Sequence, residues 1–235
     1  MIKAFPDKLS RVENEPIIIR KNKKVDKVAL ISGGGSGHEP AHAGFVGYGM
    51  LDAAVCGEIF TSPGADKVYN AIKAVDGGKG VLLIIKNYSG DIMNFEMAGE
   101  MAQAEGINVK QVVVDDDIAV ENSTYTVGRR GIAGTIFVHK ILGAAAEKGY
   151  DLDKLVELGN KVVKNLKTMG MSLKACTVFT TGKESFEIAD DEVEIGLGIH
   201  GEPGTHREKM ATANEFTEKL FEKIYTESDV QKGDR

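Results

Sequence analysis

Residues 28–35 read Val-Ala-Leu-Ile-Ser-Gly-Gly-Gly, an apolar run that ends in a serine and three glycines. Residues 81–85 form a second apolar run, which leads into the polar segment 86–91. A third run, residues 112–114, is closed by three aspartates. Short runs that are apolar at every position are typical of strands buried on both faces of a sheet. These three runs are therefore predicted to be strands of one buried sheet.

Helix-length segments lie between and after these runs, at about residues 65–75, 92–104 and 131–147. A chain in which strand, loop and helix alternate in this way indicates an α/β domain. We therefore expect an open, largely parallel or mixed sheet flanked by helices.

The last third of the chain carries further helix and strand signals. After Asp151, a plausible N-cap, apolar residues recur at helical spacing and predict an amphipathic helix. They are Leu152, Leu155, Val156, Val162, Val163 and Leu166. Residues 173–179 and 193–199 are predicted strands, and residues 211–225 are a predicted helix. The polar tail, residues 226–235, is expected to be a linker or the lead-in to a further element.

The composition excludes several classes of protein. Among 235 residues, 42% are hydrophobic and the net charge is −6, which argues against disorder and against a basic face for nucleic acid or anionic lipid. Two cysteines, Cys56 and Cys176, fit a reducing compartment. Residues 1–16 lack an apolar signal-peptide core, and the longest apolar runs fall far short of the ~20 residues that span a bilayer. We expect a soluble, cytoplasmic protein without membrane or nucleic-acid partners.

The glycine-rich segment at residues 32–40, Ser-Gly-Gly-Gly-Ser-Gly-His-Glu-Pro, allows two interpretations. Such a turn after a strand either holds a phosphate or substrate on backbone N–H groups, or simply needs positive φ angles. It lacks the Gly-Lys-Ser/Thr of a phosphate-binding loop, and it does not match Gly-x-Gly-x-x-Gly. A serine nucleophile elbow fails as well, because its last glycine position is occupied by His38.

Histidines at strand ends are the next candidates. His38 and His200 each follow a predicted strand, among glycines, so each could face a crevice as a reactive group or merely satisfy loop carbonyls. His42 lies four residues after His38, as in a metal pair, but no third ligand stands at metal spacing. No metal site is therefore predicted.

Acidic and basic residues near the strand ends also have two interpretations each. Asp91 is either the N-cap of the following helix or a carboxylate that binds a substrate hydroxyl. Lys86 either neutralises phosphate charge or is a solvated strand end. The aspartates at residues 115–117 either hold Mg²⁺ or, as the favoured interpretation, form a solvated acidic turn.

Five segments together resemble motifs of the K subunit of dihydroxyacetone kinases (the DhaK family), in the same order. They are SGGGSGHEP at residues 32–40, GEIFTSP at 57–63, IKNYSGD at 85–91, GRRG at 128–131 and GIHGEPG at 198–204. The resemblance covers nearly the whole chain and implies the DhaK-like α/β fold.

The resemblance implies a site for dihydroxyacetone. His200 matches the family histidine that binds the ketone covalently as a hemiaminal. A backbone group of Gly35 and the side chains of His38 and Asp91 match those that hold the substrate hydroxyls, and the two side chains would activate the attacking hydroxyl. Lys86 matches a residue near the substrate.

The resemblance also implies partners and a division of labour. No cofactor is expected on this chain, because Mg²⁺ and ADP or ATP reside on a separate L subunit or domain. In the phosphotransferase-dependent version, which the absence of an L-like segment favours over the ATP-dependent one, a multiphosphoryl M protein recharges the L subunit. The expected product is dihydroxyacetone phosphate, and the expected assembly is a homodimer.

Family members have two α/β domains and a longer chain. We therefore expect an N-terminal domain at residues 1–168 and an incomplete second domain at residues 169–235, which carries the covalent histidine. The alternative function is a catalytically silent relative that binds the ketone and co-activates a transcription regulator. The presence of both His38 and Asp91 favours the enzyme.

Overall fold

The computed structural model describes residues 1–22, 26–121, 126–178 and 181–232. The strands are β1 (Leu9–Arg11), β2 (Ile17–Arg20), β3 (Ala29–Ser36), β4 (Ala53–Ile59), β5 (Val81–Lys86), β6 (Val109–Val114), β7 (Met171–Ser172), β8 (Thr177–Val178), β9 (Lys183–Glu184), β10 (Glu192–Ile195) and β11 (His206–Lys209). The helices are α1 (Ala65–Val75), α2 (Ser89–Ala104), α3 (Thr135–Glu147), α4 (Leu152–Asn165) and α5 (Ala213–Thr226), with a short 3₁₀ turn at Ala43–Phe45.

A mixed sheet forms the centre of the molecule, with strand order β1-β2-β4-β3-β5-β6. Strand β3 pairs in parallel with β4 and β5, and β5 pairs in parallel with β6. The hairpin of β1 and β2 adds an antiparallel edge next to β4. The predicted α/β class with a parallel or mixed sheet flanked by helices is therefore confirmed.

The apolar runs are buried because both faces of this sheet are covered. Leu82 and Ile84 of β5 pack in one hydrophobic cluster with residues of α3 and α4. Leu83 and Ile85 pack on the opposite face in a second cluster with residues of α1 and α2. Burying one such side chain stabilises the folded state by about 1.5–3 kcal/mol. Because alternate residues of the strand enter the two cores, every position of the strand can be apolar.

Several element limits differ from the predictions. Strand β3 extends through the glycines to Ser36, because Gly33 and Gly34 pair with β4, which was not predicted. Helix α1 has the predicted limits, and Asp151 caps α4 as predicted by accepting a hydrogen bond from the Lys154 N–H. Helix α3 begins at Thr135, four residues later than predicted.

A second, three-stranded antiparallel sheet, β11-β10-β7, carries α5 and a small core of Val193, Ile195 and Phe216. The predicted strand at residues 173–179 forms only in part: β8 covers Thr177–Val178, and β7 ends at Ser172, before the predicted start. Its last residue, Phe179, lies outside the described residues, as do residues 233–235 of the predicted tail. The division into domains at residue 168 stays a prediction.

The aspartates after β6 are not the expected solvated turn. Only Asp115 is exposed, while Asp116 and Asp117 are fully buried. The Asp116 carboxylate accepts hydrogen bonds from the backbone N–H groups of Ile132 and Gly134, both at 2.8 Å, and from a threonine hydroxyl. Asp117 pairs with a buried arginine. These carboxylates are therefore structural, because their oxygens are taken by protein donors.

In the part of the chain that the structure describes, no helix is both long and apolar enough to cross a bilayer.

Candidate functional site

The candidate site lies at the carboxyl ends of the parallel strands, where loops from the two sheets meet. Gly35 lies near the end of β3 and Lys86 ends β5. Asp91 lies in the first turn of α2, whose N-cap is Tyr88, so of its two interpretations the N-cap is wrong. His200 comes from the connection between β10 and β11 of the other sheet. Residues far apart in the chain thus converge at one sheet edge.

The ring of His200 is surrounded by other rings. The centroid distances are 4.6 Å to Tyr88, 4.9 Å to His38 and 5.9 Å to Phe60. The contacts are edge-on, so the imidazole is held in place while its half-buried side chain stays accessible.

Two adjoining cavities divide the predicted site residues. Gly35, Asp91 and His200 line a cavity of about 550 Å³. His38 and Lys86 line a second cavity of about 290 Å³. Contact between the His38 and His200 rings joins the two groups. The structure thus brings all five predicted residues together.

Two polar atoms of the predicted site residues are buried and have no protein partner among the described residues. They are Nε2 of His38 and Oδ1 of Asp91. A buried polar atom without a hydrogen bond destabilises the fold by about 1–3 kcal/mol, so such atoms in native proteins call for an explanation. A ligand with hydroxyl groups would satisfy both.

Burial sets the protonation of the groups around the cavities. Burial, helped by the nearby charge of Lys86, lowers the pKa of His38 to about 4, so its imidazole is neutral at neutral pH. Burial raises the pKa of Asp91, against the opposing effect of the Lys86 charge and a hydrogen bond from Ser62. Burial likewise lowers the pKa of Lys86. Perturbed groups gathered in a cavity are typical of functional sites.

Two glycines allow neighbouring groups to approach the backbone closely at the site. A Cβ on Gly34 would lie 2.6 Å from Nζ of Lys86, and a Cβ on Gly35 would lie 2.5 Å from the backbone nitrogen of Thr61. Any larger residue would push the lysine or the facing loop away from the strand end. The glycines therefore allow close packing at the site, and Gly37 also has a positive φ of 107°, as the turn interpretation expects. The other interpretation, a substrate held on backbone N–H groups, stays a prediction.

Glu202 is a site residue to which the sequence reasoning assigned no role, as are Phe60 and Tyr88. Its Oε1 lies 3.0 Å from Nδ1 of His200, and its Oε2 accepts the backbone N–H of His200 at 2.9 Å. Burial opposes ionisation, but these hydrogen bonds lower the pKa of Glu202 to about 2. A carboxylate that faces Nδ1 favours the imidazole tautomer with its proton on Nδ1, and in that tautomer Nε2 has a free lone pair. The sequence signal that could have indicated this contact is the His-x-Glu spacing within GIHGEPG.

His42 does not pair with His38. Its Nδ1 lies 2.9 Å from Nε2 of the fully buried His139 on α3 and 3.4 Å from the hydroxyl of Ser32. Burial lowers the pKa of both His42 and His139, so the pair is neutral. Across the described ranges, no three His, Cys, Asp or Glu side chains are grouped as a metal site would need.

Comparison with known proteins identifies the family. The Dak1 domain model matches residues 1–235. The chain is 57% identical over 235 residues to the dihydroxyacetone-binding subunit DhaK of the PTS-dependent dihydroxyacetone kinase 1 of Listeria innocua, and covers 71% of that protein. It is 59% identical over 232 residues to the corresponding DhaK of Lactococcus lactis, of which it covers 70%.

Solved structures share the fold. The native dihydroxyacetone kinase of C. freundii is 42% identical with a TM-score of 0.85 over 93% of this chain, which covers 40% of that protein. A dihydroxyacetone kinase operon co-activator, Dha-DhaQ, is 41% identical with a TM-score of 0.89 over 96% of this chain and 69% of its own. The relatives named as kinase subunits carry the enzyme class that the motifs predict, and the expected family is confirmed: the chain belongs to the Dak1 domain family.

Proposed function

We propose that this chain is the dihydroxyacetone-binding subunit of a phosphotransferase-dependent dihydroxyacetone kinase. The names of its most similar relatives support this assignment. The observation that carries it is the position of His200, which is held by Glu202 beside the two unpartnered acceptors on His38 and Asp91. A ketone with flanking hydroxyls matches one nucleophile and two acceptors.

The first step is covalent capture. Nε2 of His200 bonds to the carbonyl carbon, and the π electrons of the C=O bond move to its oxygen, which gains a proton. The proton that Nδ1 gives up passes by way of Glu202 and solvent to this oxygen, which leaves Glu202 ionised again, so the adduct is neutral and has the summed mass of protein and ketone. The ionised state of Glu202 supports this role, because the carboxylate stabilises positive charge on the ring as the bond forms.

Capture by this route accounts for substrate selection. Glycerol has the shape and hydroxyls of dihydroxyacetone but has no carbonyl carbon for Nε2 to attack. The covalent bond also fixes the terminal hydroxyl for the next step, which removes part of the entropic barrier to transfer.

The second step is transfer of a phosphoryl group to a captured hydroxyl. His38 is neutral because burial lowers its pKa to about 4, and its Nε2 is free to accept a proton. Oδ1 of Asp91 accepts a second hydrogen bond from the substrate, and Lys86 balances the negative charge at the site. The hydroxyl oxygen bonds to phosphorus as the bond from phosphorus to the donor nucleotide's bridging oxygen breaks, so the nucleoside diphosphate leaves and the hydroxyl proton moves to His38.

The phosphoryl donor belongs to partners. In this proposal a nucleotide and Mg²⁺ are held by an L subunit, which an M protein recharges, and this chain forms a homodimer. Phosphotransferase dependence rests on the names of the relatives from Listeria innocua and Lactococcus lactis.

Native mass spectrometry of the chain with dihydroxyacetone tests the capture step. We expect a gain of one ketotriose per chain, absent with glycerol and absent from His200→Ala. Adding a charged L subunit should then yield dihydroxyacetone phosphate, and His38→Ala or Asp91→Ala should reduce turnover more than adduct formation. An adduct that survives His200→Ala would refute the assignment of the nucleophile.

A second candidate function is ketone sensing. The co-activator structure, with a TM-score of 0.89, supports it, because it shows that this fold also occurs in a transcriptional role. A sensor would form the adduct with dihydroxyacetone yet yield no phosphorylated product with any charged L subunit. The turnover assay therefore separates the two functions.

A further inference from the structure

The site draws its side chains from two sheets, so its geometry depends on how the sheets are joined. His38 follows β3, Lys86 ends β5 and Asp91 lies in the first turn of α2, all on the large sheet's side of the site, whereas His200 lies within residues 196–204 of the loop between β10 and β11. We call this segment the histidine loop. The contacts that hold it on the large sheet decide the distance of His200 from His38.

One buried arginine makes such a contact. Arg130 precedes α3 and is fully buried. Its Nε and Nη2 lie 2.7 and 2.6 Å from Oδ2 of Asp117, which follows β6. The same Nη2 donates to the backbone carbonyl of Gly196 at 2.8 Å. A single guanidinium thus links the first residue of the histidine loop to the segment that follows β6, an edge strand of the large sheet.

The residues around this guanidinium also contact the histidine loop. The other oxygen of Asp117 accepts the backbone N–H of Ala119 at 2.9 Å, and a Cβ on Gly196 would lie 2.8 Å from Cβ of Ala119. The loop backbone therefore rests directly on the turn that Asp117 organises. The third nitrogen of Arg130, Nη1, is buried without a partner beside Gly198, two residues before the reactive histidine.

Stability alone is a poor reason for this arrangement. The free-energy cost of removing two charges from water largely cancels their attraction. Well-packed apolar residues therefore often stabilise a fold as much as a buried ion pair does. What the pair supplies is geometry, because a guanidinium fork fixes its acceptors in direction as well as in distance.

We propose that Arg130 and Asp117 are positioning residues that dock the histidine loop on the large sheet and so set the alignment of His200 with His38 and Asp91. The proposal rests on the proposed function, since alignment matters only if His200 captures the substrate. The proposal gives a role to Arg130, the second arginine of the Gly-Arg-Arg-Gly segment. The sequence alone indicated no role for this residue.

The test compares Arg130→Lys with Arg129→Lys. Lysine keeps the charge but cannot reach Asp117 and Gly196 with a planar fork. Arg129 is the matched control, because it is the adjacent arginine and its partner is the half-exposed Glu227 at 3.0 Å. Two quantities are measured on each folded variant: the dissociation constant of the dihydroxyacetone adduct, and amide hydrogen exchange of residues 196–204 relative to β5.

For Arg130→Lys we expect the adduct to weaken about tenfold or more, as for the loss of a charged hydrogen bond. Exchange should accelerate within the histidine loop and stay unchanged in β5, a localised effect that a purely structural role would not produce. Asp117→Asn, which preserves side-chain shape, should act in the same direction. Arg129→Lys should leave both quantities unchanged.

Three results would overturn the proposal. The first is wild-type affinity and loop exchange in folded Arg130→Lys. The second is an acceleration of exchange spread evenly over both sheets. The third is loss of the folded state in both Arg130→Lys and Asp117→Asn, which would make the pair part of the fold itself. If the wild type forms no adduct, the proposed function fails, and loop exchange alone then decides the docking role.

Discussion

Replacing Glu202 by glutamine tests what the charge of its carboxylate does at the candidate site. Glutamine keeps the length and shape of the side chain but removes the charge that holds the proton on Nδ1 of His200. In the wild-type protein both carboxylate oxygens are engaged by His200, one by the ring and one by the backbone N–H.

The structure allows an estimate of the effect. Hydrogen bonds from His200 outweigh the opposing effect of burial and lower the pKa of Glu202 from 4.5 to about 2. At ~1.36 kcal/mol for each pKa unit, the ionised carboxylate is stabilised by about 3 kcal/mol. A hydrogen bond to a charged group is worth about 1.5–3 kcal/mol, so we expect the E202Q adduct with dihydroxyacetone to dissociate about 10–100 times more readily.

The assay is a titration with dihydroxyacetone followed by native mass spectrometry, with ¹⁵N-histidine NMR to report the tautomer of His200. The chain supplies a matched control, because Glu208 lies two residues after His206 and contacts its Nε2 at 2.9 Å at an exposed position. E208Q should leave the adduct unchanged. Wild-type affinity in folded E202Q, or an unaltered His200 tautomer, would refute the reasoning.

The pH dependence of stability gives an independent check on Glu202. Its pKa is lower in the folded protein than in the unfolded chain, so its contribution is complete above pH 4.5 and is lost as pH falls toward about 2. The difference in free energy of unfolding between wild type and E202Q should therefore shrink over that range. A difference that stays constant from neutral pH to about pH 2 would contradict the assigned interaction.

Three further predictions concern groups elsewhere at the site and in the core. Because burial lowers the pKa of His38 to about 4, turnover should not show a His38-dependent inflection near pH 6.5, and a pH–rate profile compared with that of His38→Asn checks this. Asp116→Asn should lower the free energy of unfolding in urea by about 2–4 kcal/mol, since three donors lose a buried charged acceptor, whereas exposed Asp115→Asn should be neutral. Phe95→Ala, at a fully buried position, should cost about 3–5 kcal/mol by the same measurement, and exposed Met97→Ala should cost little.

The candidate site shows which functional residues could be predicted from the sequence and which required the structure. The motif resemblance named His38, Lys86, Asp91 and His200, and the structure brings all four to one sheet edge. Their roles in capture and transfer stay predictions. Glu202 was within a quoted motif but received no role, because its importance lies in a contact with His200 that residue type and spacing alone do not reveal.

The sequence by itself determined the central parallel strands, most of the helices and the family. Runs such as residues 81–85 are apolar at every position because each residue enters one of two cores, and this is a local property that a sequence displays. Asp151 could be predicted as a cap for the same reason, since its partner is three residues away.

Tertiary structure alone decided the features that depend on distant partners. Strand β4 contains a glycine and polar residues and was missed, because pairing with β3 and β2, rather than its own pattern, makes it a strand. Asp116 and Asp117 look like a solvated turn in sequence, yet they are buried because donors from residues 130–134 and from Thr168 reach them. Long-range hydrogen bonds of this kind leave no local periodicity, so only the folded chain shows which acidic residues bind protein and which remain for substrate.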